Sequence, residues 1–343
     1  MAKIKPKEDS PLSSPETPAP RLIGIARMAH ESGLLEGKRR VEYRDLAAKS
    51  YISSCANPQL PFRWTINPYR GCEFGCKYCY ARYTHEFMEL HDSDLFETRI
   101  FAKQWNAPNF RRELRRLPFG EIIALGTATD PYQPAERRYN ITRLMLEEFA
   151  KHKHHRLWIT TKSDLVTRDI DLLKEIPEVH VNVTITTMDA KLARLIEPYA
   201  PRPALRMAAV QTLRAAGIAA GVSLSPILPL INDSQESIDA VVEQAAQAQA
   251  LGVWHNVLFL RSCARAVFLP FVEKEFPQFI HRYRARYGRS DFLTGPYLEV
   301  VKARVDRARL RNNLSLSRSP TTIPKPPQLE LPFEFSAAQS TCK

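Results

Sequence analysis

Three cysteines crowd into eight residues of this 343-residue chain: Cys72, Cys76 and Cys79, spaced C-x3-C-x2-C within residues 67–80. Thiolates at that spacing can converge on one soft metal centre while leaving one coordination position without a cysteine. Iron–sulfur cubanes ordinarily take four thiolates, so a loop of three predicts a [4Fe–4S] cluster with one iron open to another ligand. Structural zinc asks for four closed ligands and usually pairs two C-x2-C knuckles. No second knuckle follows, although His85 is close enough in sequence to be a fourth ligand. Cys55, Cys263 and Cys342 are scattered, a poor layout for a disulfide framework and one that fits a reducing compartment.

Such a loop needs a scaffold. It follows the first of six short apolar runs, at 63–67, 121–125, 156–161, 180–186, 219–224 and 254–260. Amphipathic stretches alternate with them at 78–90, 137–151, 169–175, 189–199 with 204–216, and 234–251, several opened by a capping Ser, Thr or Asp. Gly217 and Gly252 stand where C-terminal glycines close helices. The alternation predicts an α/β fold in which right-handed crossovers curl six parallel strands into a partial (β/α)6 TIM-like barrel, its functional loops at the C-terminal strand ends. A plain doubly wound sheet is the alternative. After the second strand, Thr129 and Asp130 offer acceptors for an ammonium group, and Lys162 ends the third. At the fourth strand, hydroxyls at alternate positions, Thr184 among them, can face the barrel while the apolar set packs outward.

The cysteine loop resembles the cluster motif of radical S-adenosylmethionine enzymes. The string Thr129-Asp130-Pro131-Tyr132-Gln133-Pro134, with Glu136, is similar to one found in the spore photoproduct lyase-like group. The resemblance covers about residues 60 to 260. It implies that the open iron binds the amino and carboxylate groups of S-adenosylmethionine, and that an electron from the cluster splits the cofactor into methionine and a 5′-deoxyadenosyl radical. It further implies cofactor contacts: Tyr78 near the adenine, Lys162 toward the carboxylate or ribose, Thr184 at the ribose, Arg206 near the carboxylate and Ser225 along the adenine. An electron donor of the flavodoxin or ferredoxin type comes with that chemistry. Spore photoproduct lyase repairs a thymine dimer and returns hydrogen through a cysteine near the second strand. Here Thr127, Ala128 and Thr129 occupy that place, and no cysteine lies between Cys79 and Cys263. The departure argues against the lyase reaction itself and leaves Cys263, just after the sixth strand, as the candidate catalytic thiol. A buried structural cysteine is its plainer reading.

A net charge of +12 and a pI near 9.5 suit a polyanionic partner. Basic residues gather at 281–289 and at Lys302, Arg304, Arg307, Arg309 and Arg311, with Tyr283 and Tyr287 interleaved as bases would require. A solvated helix face explains the same residues, and a non-catalytic metal-containing nucleic-acid-binding protein is the rival to the enzyme. Composition divides the chain into a disordered or linking arm at 1–60, a core at 61–262, a helical extension at 263–314 and a flexible Pro-rich tail at 315–343. Within the tail, Gln328-Leu329-Glu330-Leu331-Pro332-Phe333 resembles the peptide by which bacterial replication and repair proteins dock on the sliding clamp, Leu331 and Phe333 being its anchors. No apolar run approaches the ~20 residues that span a bilayer, and the N-terminus lacks a signal peptide's apolar block, so a soluble cytoplasmic protein is expected.

Overall fold

The computed structural model describes residues 22–37, 41–57 and 60–314. The tail peptide at 328–333 and Cys342 lie outside them. The strands among the described residues are β1 (Leu34–Gly37), β2 (Glu42–Leu46), β3 (Ile52–Ser54), β4 (Trp64–Ile66), β5 (Tyr69–Arg70), β6 (Arg99–Lys103), β7 (Ile122–Leu125), β8 (Arg156–Thr161), β9 (Val179–Thr184), β10 (Ala219–Ile227) and β11 (Val253–Val257).

Six of them run parallel in the order β4-β7-β8-β9-β10-β11, each new strand joining the same side, as right-handed crossovers require; β3 closes the far edge antiparallel to β4. These are the six expected strands. Leu157 and Ile159, Val181 and Val183, and Val222 and Leu224 share one core with the helix residues Leu146, Phe149, Val210, Leu213, Ile238 and Val242. Period-2 alternation therefore turns the intervening residues toward the lumen. Three rings pack there: Trp158 lies 6.0 Å from His180, and His180 lies 5.0 Å from Trp254. Gly221 makes room, since a Cβ there would collide with the Trp254 indole. The parallel strands form a partial barrel.

Helices cover the outside at Ala107–Arg116, Ile141–Lys151, Ile170–Glu175, Ala190–Ile196, Pro203–Ala215 and Gln235–Gln247. Three begin on capping side chains, with Asn106, Asp189 and Ser234 accepting from backbone N–H groups of the first turn. Gly217 closes its helix at φ +82°, but Gly252 does not; Gln249 takes the left-handed turn at φ +57°, two residues past the helix's last residue Gln247. The helix expected over 78–90 is two short turns, Tyr80–Arg82 and Tyr83–Glu86, and the one over 137–151 breaks at Asn140, φ +53°.

Within the arm expected to link, Leu34–Gly37 and Glu42–Leu46 instead supply two strands of a second sheet ordered β1-β2-β6-β5. Tyr43, Leu46 and Tyr51 are buried. Their spacing follows neither a strand nor a helix period, so pattern alone gives no signal. At the other end, Val301, Val305 and Ala308 of the helix Pro296–Arg311 join the main core, and Arg309 donates to the Val253 carbonyl. No helix among the described residues is long and apolar enough to cross a membrane.

Candidate cluster and cofactor site

The cysteine loop leaves the C-terminal end of β4 and is held by neighbours on every side. Gly71 has φ +79°, and a Cβ there would stand 2.9 Å from the Phe96 carbonyl oxygen, while the next residue's N–H donates to that carbonyl at 2.8 Å. Only glycine lets the loop turn so close to another backbone. Glu73 accepts from the Tyr43 hydroxyl at 2.8 Å and the Ala135 N–H at 2.8 Å. Gln133 accepts from the Glu73 N–H and donates to the Gly71 carbonyl, both at 3.0 Å. On the opposite side, Lys77 N–H donates to the Ile196 carbonyl at 2.9 Å and Tyr199 N–H to the Phe74 carbonyl at 3.2 Å. Arg82, buried and paired with Glu97, donates to the Cys76 carbonyl.

Burial pushes all three thiols up, Cys72 furthest and Cys76 to about 12. As thiols they do not ionise at neutral pH; metal cations displace the proton and make the same three sulfurs ligands. Among the described residues no three His, Cys, Asp or Glu side chains converge as they would on one ion. A cubane asks for less convergence, because each thiolate takes a different iron. His85 does not join the loop's sulfurs: its Nε2 bonds the Arg99 carbonyl at 3.1 Å, its ring packs on Phe96 and Phe101, and burial pushes it down to about 4.

Below the loop lies a buried charged group. Glu197 pairs with Arg206 at 2.5 Å, accepts from the Tyr78 hydroxyl, and accepts from Thr186 Oγ1 at 3.2 Å. Arg206 also donates to the carbonyls of Pro201 (2.7 Å) and Thr184 (3.1 Å). Burial opposes charge on Glu197, but Arg206 and Lys162 outweigh it and hold the carboxylate below its ordinary range. Lys162 Nζ sits 5.6 Å from the Tyr78 ring centre. Burial opposes its charge too, and Cys76 and Glu197 restore it.

Tyr78, Lys162, Thr184 and Arg206 thus come together. Ser225 ends the same lumen, half-buried on β10. Thr129 and Asp130 do not stand as open ammonium acceptors. Thr129 donates to the Gly71 carbonyl at 2.6 Å, and Asp130 accepts from Tyr132 N–H, Thr161 Oγ1 and Lys162 N–H at 2.7–2.9 Å. Thr129 thereby braces the cysteine loop, and Asp130 ties its own loop to the end of β8. Arg206 is committed to Glu197, so a direct role at a cofactor carboxylate gives way to an ion pair. Cys263 stands apart from this group, its Sγ 3.8 Å from the Tyr80 carbonyl.

A model of the radical SAM superfamily matches residues 66–258. The chain belongs to the radical SAM superfamily. Its fit to that family is chemical as well as topological: three thiols on one loop, Cys72 and Cys76 buried and Cys79 half-buried, with charged and hydroxyl side chains beneath them. Membership of the radical SAM superfamily implies a [4Fe–4S] cluster and S-adenosylmethionine. Uncharacterized protein Rv2578c of Mycobacterium tuberculosis is 34% identical over 306 residues, covering 84% of this chain and 90% of that one. Uncharacterized protein MJ0683 of Methanocaldococcus jannaschii is 28% identical over 239 residues, covering 70% and 85%. Among solved structures, spore photoproduct lyase in complex with dinucleoside spore photoproduct has the same fold, with TM-score 0.61 at 14% identity over 78% of this chain and 79% of that one.

The proposed stacking role of Tyr283 and Tyr287 is overturned. Both rings are buried, and their hydroxyls donate inward to the carbonyls of Pro229 (2.6 Å) and Leu258 (2.8 Å). Several arginines of the last helix are likewise committed: Arg304 to the Asp233 carbonyl, Arg309 to Val253 and Arg311 to Asp239. Glu197 escapes sequence reasoning, since a glutamate just past a helix end reads as surface.

Proposed function

We propose that this radical SAM protein holds its cluster on Cys72, Cys76 and Cys79 and acts by hydrogen abstraction on a nucleic-acid substrate. The observation that carries the reading is the three-thiol loop at the C-terminal end of β4, set over the half-buried Lys162 and the buried pair Glu197 and Arg206. When bound, the cluster and S-adenosylmethionine supply a 5′-deoxyadenosyl radical after one electron arrives from a flavodoxin- or ferredoxin-type donor. The protein's part is positioning. Lys162 presents a positive charge to an anionic carboxylate, the Tyr78 ring offers a flat face to adenine, and Thr184 and Ser225 line the wall beneath. Thr129 and Gln133 keep the loop rigid, and burial of this group keeps water from a reactive radical.

Nucleic acid is favoured by the net charge of +12 and by the fold shared with spore photoproduct lyase, whose solved structure is complexed with dinucleoside spore photoproduct. The lyase reaction is not part of the proposal, because the loop after β7 carries Thr127, Ala128 and Thr129 and no thiol. Anaerobic reconstitution with iron and sulfide, followed by dithionite and S-adenosylmethionine, should yield 5′-deoxyadenosine, and Cys76→Ala should abolish it. An intact reduced cluster that forms no such product, or a single bound zinc in its place, would overturn the reading.

A further inference from the structure

Tyr80, one residue past Cys79, occupies the seam where the parallel sheet fails to close. Its ring packs 4.9 Å from Phe259, which follows β11, and its hydroxyl donates to the Thr127 carbonyl beyond β7. Cys55, which follows β3 on the opposite edge, lies close enough to act on the Tyr80 hydroxyl electrostatically. From this ring a ladder runs both ways. On one side Phe259 stacks on Phe292 at 5.4 Å; on the other Tyr80 stacks on Tyr83 at 6.5 Å, and Tyr83 meets Phe87 at 5.4 Å. The two end rings, Phe87 and Phe292, are each 60% exposed.

Cations accompany the rings. Arg261 is exposed, lies 4.7 Å over the Tyr83 ring and has no carboxylate partner among the described residues. Arg70, close to the Tyr83 hydroxyl, has its Nε buried without a hydrogen-bond partner. Lys103, 8% exposed, neighbours Arg70, lies 5.8 Å over the Tyr51 ring and feels the Glu113 carboxylate. One acid, Glu86, stands exposed on the turn that carries Tyr83.

An apolar protein surface laid on this seam would bury Arg70 and Arg261 without counter-charge, which is costly. Phosphates answer those cations, and base faces answer the rings, which is how proteins hold single strands. We propose that the seam from Phe292 to Phe87 binds a single-stranded stretch of nucleic acid, its bases against the ring ladder and its phosphates toward Arg70 and Arg261. This rests on the nucleic-acid reading above and gives it a place: a strand along the seam passes beside the cysteine loop, because the central ring belongs to it.

The test is fluorescence polarisation of a labelled 20-nucleotide oligo-dT, and of the same sequence as a duplex, with the cluster-loaded full chain. The single strand should bind more tightly than the duplex. Tyr83→Leu and Arg261→Gln should each weaken binding about tenfold, with iron content and circular dichroism unchanged. Arg284→Gln, on the helix Ile280–Tyr287 and paired there with Glu273, should leave binding within about twofold of wild type. If the wild type binds the oligonucleotide but Tyr83→Leu and Arg261→Gln bind equally well, or if Arg284→Gln is the variant that loses affinity, the seam is wrong and the nucleic-acid reading survives. If the wild type binds neither strand form while still producing 5′-deoxyadenosine, the nucleic-acid reading itself falls.

Discussion

Glu197 is the residue on which the charged group beneath the cysteines turns. It touches Tyr78, Thr186 and Arg206 at once, and its charge acts on Lys162. Breaking a buried ion pair by removing one partner typically costs about 3–5 kcal/mol, because the other charge is left uncompensated. Arg206→Met should therefore lower the melting temperature by roughly 10 °C, at ~2–4 °C per kcal/mol for a chain of this size. Glu197→Gln is the more informative change. It keeps an acceptor for the Tyr78 hydroxyl but deletes a negative charge close to Cys76, so the reduced cluster becomes easier to form. A redox titration followed by electron paramagnetic resonance should show a more positive cluster potential in Glu197→Gln. An unchanged potential would reduce Glu197 to a structural group.

At the scale of elements, the cysteine loop is gripped between the backbone before β6 and the segment after the helix Ala190–Ile196, and two glycines separate strain from crowding. Gly71 and Gly217 have nearly the same left-handed φ, +79° and +82°, but a Cβ at Gly71 meets Phe96 and Arg99 carbonyls while one at Gly217 meets nothing within 4 Å. Gly217→Ala should cost about 1–2 kcal/mol of stability from conformation alone and leave iron loading intact. Gly71→Ala should cost more, and iron bound per chain after reconstitution should fall, because Cys72 moves with the displaced turn. Equal iron content in the two variants would show that the loop tolerates displacement. The same contrast marks what sequence can convey. Residues 156–161 and 180–186 announce strands because every second side chain is apolar, and the cysteine spacing announces its own chemistry. The sheet built from residues 34–46 has no such rhythm. Tyr283 and Tyr287 sit among arginines and read as an exposed face, yet packing turns them inward. Neither local pattern contains the tertiary partner that decides the outcome.

At the scale of the whole molecule, stability should fall on mild acidification for a reason that can be located. Burial holds His85 and His180 at about 4, against 6.5 in an unfolded chain. Between those values the unfolded state binds a proton that each folded-state ring refuses, so unfolding is favoured as pH drops from 6.5 to 4 and the contribution is fully present only above 6.5. Each ring contributes a slope of up to about 1.4 kcal/mol per pH unit in that window. The carboxylates held low by cation partners, Glu148 and Glu197, add their own loss only below about 4.5, where an unfolded glutamate protonates. His180 is the ring to change, since it packs between Trp158 and Trp254, tilted to one and edge-on to the other, on the lumen floor, away from the cysteine loop. His180→Phe preserves an aromatic ring there and removes the titration. Urea midpoints of the two chains, compared from pH 7.5 to 4.5, should converge near neutrality and separate steadily below pH 6.5, the variant losing less stability per unit, although His85, His152 and His155, held low by burial as well, still titrate in both. Acid loss of the cluster would be common to both chains and cancel in the difference. Parallel curves across that range would mean that His180 takes up its proton in the folded barrel as readily as in the unfolded chain.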